Sequence, residues 1–436
     1  MNKEILRLAI PNIISNISVP LLSTVDTALM GRMSELHLGA VGVGAMIFNF
    51  VYWNFGFLRM GTTGITAQAF GKKDNSEIIQ TLGRALLLVI ILALLIILLQ
   101  RPFGNLSFYL MNVSESQIGL VKEYFFIRIW AAPATLGLYA MMGWFFGMQN
   151  AVYPLILTII INIVNIGLSF LFILHYGMEV DGVAWGTVIA QYVGFIVALG
   201  LFAYKYGYLL KSFKRKAVTE WVALKNFIDI NQDIFIRTFC LTFAFGFFYS
   251  QSSAQGETIL AINVILLQFL NWMSYGVDGF AFASESLVGK YAGAKDREKL
   301  RKAVLFSFYW GFALALIYSI TYGFAGIPLL HIFTDQTSII DASVPFLFWM
   351  VLLPVIGTPC YIWDGVYIGL TASKAMRNSM FISLAIFFLA FYITVKAIPL
   401  GNHGLWLTLL IFLGARGIIQ TLWYNNGIVL KETNHL

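Results

Sequence analysis

Long uninterrupted apolar runs recur from one end of this chain to the other, and they leave few folds open to it. The stretch from Ala85 to Leu99, ALLLVIILALLIILL, contains no polar residue. About 20 apolar residues of helix span a hydrocarbon core roughly 30 Å thick, and twelve such spans can be drawn along the 436 residues. They lie at about 6–30, 38–58, 82–100, 119–144, 153–174, 183–203, 227–250, 258–288, 303–325, 343–369, 378–398 and 404–424. Only 11% of the residues are charged, against about 25% in soluble domains. A β-barrel would require short alternating segments instead. The fold class is therefore all-α and polytopic.

Charge distribution sets the orientation. With the N-terminus inside, only Arg32, Arg101, Lys122 and Lys396 of the 28 Lys and Arg fall on the outer side, while Arg59, Arg128 and Arg416 lie near or within helices. Such a bias places both termini in the cytoplasm and accounts for the net charge of +7 without nucleic acid as a partner. The opening residues have no small-residue cleavage site after the apolar run and read as mature chain. Cys240 and Cys360 lie in apolar segments and suggest neither disulfides nor a zinc site. The histidines are scattered, and no phosphate-binding GxxxxGK[ST] loop is present, so ATP is not the expected energy source.

The chain also repeats itself. A shift of 222 residues pairs Asn49 with Asn271, the GKKD loop at Gly71–Asp74 with GAKD at Gly293–Asp296, and Gly143 and Gly147 with Gly365 and Gly369. An even number of spans per repeat makes the halves parallel. The expected organisation is an N-lobe at 1–204 with spans one to six, a basic cytoplasmic linker at 205–226, and a C-lobe at 227–436 with spans seven to twelve. The paired GxxxG motifs are expected to let helices approach closely.

Against this background a few polar residues stand out. Four carboxylates fall inside spans: Asp26, Asp278, Glu285 and Asp364. An acid at mid-membrane costs roughly 2.5–3.5 kcal/mol on insertion scales and marks a functional site by default. Asp26 is the most isolated, with Pro11 and Pro20 upstream as candidate hinges. Asp278 and Glu285 are seven residues apart and share a helical face, ~10 Å apart by the helical rise. Their bland reading is an ion pair or interhelical hydrogen bond, with Arg237 or Lys290 as partner. Span five sets Asn162 and Asn165 on one face with Ser169 a turn further, span six carries Thr187, and Tyr124 opens span four. Such residues can simply join helices at about 0.6 kcal/mol per bond. As a set beside a buried acid they form a pocket for a proton or a small cation.

Together, the Pro11–Pro20–Asp26 span (IPNIISNISVPLLSTVDTALMG), NIVNIGL in span five, YIWDGVYIG in span ten with MRNSM after it, and DGFAFASESLVGKYAGAK resemble the multidrug and toxic compound extrusion (MATE) transporters, DinF-type branch. The resemblance covers essentially the whole chain. It implies two lobes around a central cleft, alternating between inward- and outward-facing states. It also implies an N-lobe coupling site at Asp26, Tyr124, Asn165 and Thr187 with Asn162 nearby. Ser169 stands where some relatives have a second aspartate, and span seven lacks the acid of sodium-coupled members, which favours proton over sodium coupling. Asp364 matches the family's span-ten aspartate, and Arg237, Asp278 and Glu285 complete the C-lobe polar candidates.

The function expected is therefore secondary active efflux, by alternating access across a bacterial inner membrane, of amphipathic and often cationic compounds in exchange for protons. Sodium is the alternative ion, with Asp26 as its carboxylate; no other metal and no cofactor is expected, and the partners are drugs and membrane lipids, with the protein a monomer. A lipid-linked precursor flippase of the same superfamily is the alternative. It would need a basic cavity, for which the N-terminal half's spans offer only Arg59 and Arg128. A passive channel would show flux without proton exchange. A membrane enzyme would need a catalytic dyad or metal cluster, and the sequence offers neither.

Overall fold

The computed structural model describes residues 1–31 and 34–429, with side chains except those of 19–31 and 35. Among them every regular element is helical. In chain order these are α1 (Asn2–Gly31), α2 (Glu35–Asn54), α3 (Phe57–Lys72), α4 (Asn75–Leu98), α5 (Gln100–Leu110), α6 (Ile118–Arg128), α7 (Ala132–Gly147), α8 (Val152–Phe170) and α9 (Val180–Tyr206). There follow α10 (Arg215–Val218), α11 (Trp221–Ala254), α12 (Glu257–Gly293), α13 (Arg297–Phe333), α14 (Thr337–Ser343), α15 (Leu347–Gly369), α16 (Ser373–Phe391) and α17 (Asn402–Asn425). Eleven helical stretches among the described residues are long and apolar enough to cross a membrane, and the 30-residue α1 supplies the remaining expected span.

The observed spans generally extend beyond the expected ones, and in the second the extension has a physical reason. The second span runs on from α2 through α3 to Lys72, where the hydropathy pattern ends it near 58. Helix α3, FLRMGTTGITAQAFGK, buries Thr62, Thr63 and Thr66 completely. Its neighbours are protein rather than lipid, so it needs no apolar exterior. Pro133 explains a second irregularity: it stands in the first turn of α7, and a 3₁₀ turn at Ile129–Ala131 separates α6 from α7, because proline has no N–H for a continuous ladder.

Contacts divide the chain into two compact units, Met1–Ile13 with Asp229–Leu436 and Ile14–Ile228. Both boundaries fall inside unbroken helices, α1 and α11. In the first unit, α1 begins against α12: Glu4 accepts from Tyr291 (2.8 Å) and Lys290 (3.2 Å), and Trp310 donates to Asn2. Gly279 leaves room for Ile13, since a Cβ there would sit 2.3 Å from its side chain. Lys290 thus pairs with Glu4. The basic segment expected as a linker folds onto the second unit. Buried Arg84 of α4 binds Glu77 (2.6 Å) and the carbonyl of Ala217 (3.1 Å). Lys205 sits over the rings of Tyr153 and Tyr206.

The repeat is written into backbone geometry. A Cβ at Gly143 would meet the carbonyl oxygen of Arg59 at 2.3 Å, and one at Gly365 would meet that of Ala281 at 2.1 Å. Gly147 faces the carbonyl of Thr63 at 2.9 Å and Gly369 that of Glu285 at 2.7 Å. All four pairs obey the same 222-residue shift. So do the left-handed residues Lys73 and Lys295, and Gln149 and Thr371. Asp74 and Asp296 cap α4 and α13 by accepting from the N–H of Glu77 and Lys299. Leu171–His175 and Tyr392–Ala397 both continue their helices as a π turn.

Candidate functional site

In the second unit the expected pocket residues come from α1, α6, α8 and α9. Helix α8 starts where Asn150 accepts from the N–H groups of Val152 and Tyr153 while its own amide donates to the Tyr206 hydroxyl. From that start the helical period brings Thr158, Asn162, Asn165 and Ser169 to successive turns. Asn165 Nδ2 donates to Thr187 Oγ1 at 2.8 Å, and Thr187 donates to the carbonyl of Val183 at 3.0 Å. Both side chains are buried, and among the described residues the Asn165 Oδ1 acceptor has no hydrogen-bond partner. An unpaired buried amide oxygen costs free energy of about 1–3 kcal/mol, and it is the kind of acceptor that a protonated carboxyl or a small cation satisfies.

Helix α1 is tied to this face by two polar contacts. Ser15 Oγ and Thr158 Oγ1 are 2.8 Å apart, and Asn162 Nδ2 donates to the carbonyl of Ser18 at 3.2 Å. Asn162 therefore serves as the clamp on α1, one turn from the Asn165–Thr187 pair. Ser169 is fully buried opposite Gly186, whose missing Cβ would lie 3.1 Å from its hydroxyl. Tyr124 also packs on α2, edge-on to Phe48 and against Gly44. The side chains of Asp26 and Pro20 lie outside the described residues. Helix α1 runs unbroken past both candidate hinge positions, Pro11 and Pro20. The two arginines weighed for a basic cavity sit on aromatic rings, Arg59 over Phe146 and Arg128 over Phe48 and Tyr124.

In the first unit one polar candidate, Arg237, meets another, Asp364. Its Oδ2 accepts from Arg237 and, at 2.7 Å, from Arg416, and its Oδ1 accepts from Gln420 at 3.0 Å. Gly417 allows this, because a Cβ there would be 2.9 Å from that of Pro359, and the close approach sets α17 beside α15. Trp363 donates to Thr421 and Tyr367 to the carbonyl of Gln420 along the same seam. Arg237 is thus committed to Asp364, with Asp278 within electrostatic reach. Glu285 is buried on α12, its carbonyl facing Gly369.

Sequence reasoning passed over Arg416 and Gln420. They are four apart in LGARGIIQTLW and hence share a face, and a lone arginine in an apolar span carries the same signal as a lone aspartate. It also missed a satisfied amide network, in which Asn263 and Asn402 exchange hydrogen bonds at 2.7 and 2.9 Å and Trp406 and Ser252 complete the set. Among the described residues no group of three or more His, Cys, Asp and Glu is placed to hold a metal ion.

The MatE family model matches this chain twice, at residues 11–171 and 234–394, once in each repeated half. The chain belongs to the MATE family. A relative, DNA damage-inducible protein F of Escherichia coli (strain K12), is 36% identical over 99% of this chain and 95% of its own. The probable multidrug resistance protein NorM of Thermotoga maritima is 24% identical over 79% of this chain and 74% of its own. Among solved structures, a MATE protein in the bent conformation superposes with a TM-score of 0.90 at 20% identity, over 99% of this chain and 97% of that one. An outward-facing multidrug resistance MATE family transporter of the MOP superfamily gives 0.89 at 19% identity, over 99% and 96%. The MATE fold and its two repeated halves are therefore the frame in which both polar clusters sit.

Proposed function

We propose that this MATE protein is a secondary active multidrug efflux transporter, and not an enzyme, that exports amphipathic, often cationic compounds in exchange for protons. It works by alternating access across a bacterial inner membrane, and sodium is the alternative coupling ion. The observation that carries the reading is the buried Asn165–Thr187 pair, whose Asn165 oxygen has no partner among the described residues, on the helix to which α1 is clamped. Asp26 lies on that same α1. A carboxyl group that gains a proton can donate to such an oxygen, and polar partners shift the proton affinity of a carboxylate toward the working range. Protonation of Asp26 would remove its charge and let α1 bend at Pro11 and Pro20, closing the pocket and releasing substrate outward. Proton and drug would then occupy the protein alternately. Family membership supports transport, and the names of relatives such as NorM support drugs as its cargo.

Energised vesicles test this. An outward drug flux that dissipates a pH gradient is expected from the native chain, and Asp26→Asn should abolish accumulation against the gradient. Unchanged pH-dependent accumulation by Asp26→Asn would sink the mechanism. Flux that a sodium gradient alone drives would replace the proton with sodium.

A further inference from the structure

We infer that Arg237 and Arg416 form a binding site for the carboxylate of an anionic amphiphile, a place that Asp364 fills when no ligand is bound. Donor accounting carries the argument. Two guanidinium groups bring ten N–H donors, and neither can lose its charge. Asp364 meets them through one oxygen only: Oδ2 accepts from Nη2 of each arginine, and Oδ1 is taken by Gln420. Nε of Arg237 and Nε of Arg416 are buried without a hydrogen-bond partner among the described residues. Arginine and carboxylate ordinarily meet as two parallel bonds. Each arginine here makes a single such bond to Asp364, so a carboxylate that takes the place of Asp364 and reaches the Nε groups as well makes bonds that Asp364 leaves unmade.

Burial is uneven across the cluster. The Arg416 and Arg237 side chains are 2% and 7% exposed, whereas that of Asp364 is 12% exposed. The carboxylate is thus the least buried of the three. A purely structural role explains the cluster less well, because replacing buried ion pairs by apolar side chains of similar volume is often neutral or stabilising. The surroundings favour an amphiphile: the three charged residues project from the apolar helices α11, α15 and α17, and the Arg416 guanidinium lies over the Phe412 ring, 5.7 Å from its centre. This inference does not rest on proton exchange, and an equilibrium binding measurement separates the two.

The test uses the purified full-length protein in an uncharged detergent, titrated calorimetrically with dodecanoate and, as the matched cation, dodecyltrimethylammonium. Arg237→Gln and Arg416→Gln should each weaken dodecanoate binding at least tenfold. Asp364→Asn removes the internal competitor and should tighten dodecanoate at least tenfold, with no gain for the cation. A structural cluster predicts the opposite for that variant, so dodecanoate binding that is absent from the native chain, or unchanged or weakened by Asp364→Asn, overturns the site. Phosphatidylglycerol binding in place of dodecanoate overturns the carboxylate assignment. Thermal unfolding checks each variant; should Asp364→Asn not fold, Asp364→Ser is read by the same criterion, and Arg416→Lys, which keeps the charge and loses the fork, should behave as Arg416→Gln.

Discussion

Asn165 donates to Thr187, and its own oxygen receives nothing from the described residues, so the pair is half of a hydrogen-bonded group. Thr187→Val should remove the acceptor and leave the amide donor unpaired as well, costing about 1–3 kcal/mol, visible as a lower unfolding temperature. Glu4 offers a pH-dependent counterpart. Burial acts to raise the pKa of its carboxyl, but hydrogen bonds from Tyr291 and Lys290 outweigh burial and hold it below the usual carboxylate range. Its contribution is therefore present above the unfolded-state pKa and lost as pH falls through the folded one. Glu4→Gln is expected to flatten the acid limb of stability between those two values, measured by unfolding across pH. At this scale the sequence was informative where a charge stood alone in an apolar run. It named Asp364 and Arg237 without joining them, because the pairing depends on which faces of α11, α15 and α17 meet, and spacing along one helix does not encode that.

Among the elements, α7 and α15 carry the same device. Their GxxxG glycines lie on carbonyl oxygens of α3 and α12, so a side chain there must push backbone from backbone. Gly365→Leu should abolish recovery of folded protein, whereas Gly42→Ala, where a Cβ meets nothing within 4 Å, should be neutral or stabilise by about 0.5–1 kcal/mol. Folded yield and monodispersity on a sizing column distinguish the two. The glycine pairs were legible as packing sites from their constant offset. Helix α3 was not, because hydropathy reports contact with lipid, and the threonines of α3 are buried by protein. The short α5 and α10 were likewise beyond a reading based on long apolar runs.

For the whole molecule, twelve spans in two repeated halves were readable from apolar length, charge asymmetry and internal offset. The boundary at Asp229 lies two residues from the expected start of the C-lobe at 227, whereas the one after Ile13 was not legible, since it falls within a continuous helix rather than at a change of composition. The first 13 residues belong with Asp229–Leu436, where Ile5, Leu8 and Ala9 are almost fully buried. Deleting residues 2–12 should therefore speed amide hydrogen exchange in α12 and leave α3 and α7 at native rates. Faster exchange in α3 instead would contradict the division.

The left-handed residues at the helix ends bear on how this protein can be engineered. Thr371 is β-branched with φ 56°, a backbone state that costs an L-residue roughly 1–2 kcal/mol. Glycine loses about 0.5–1 kcal/mol to the unfolded chain's extra freedom, so Thr371→Gly leaves a net gain. Its counterpart Gln149 is a second position for the same exchange. Both lie at turns outside the two polar clusters, and a more heat-resistant version built from these two changes should keep its ligand affinities, a property useful for purification out of the bilayer.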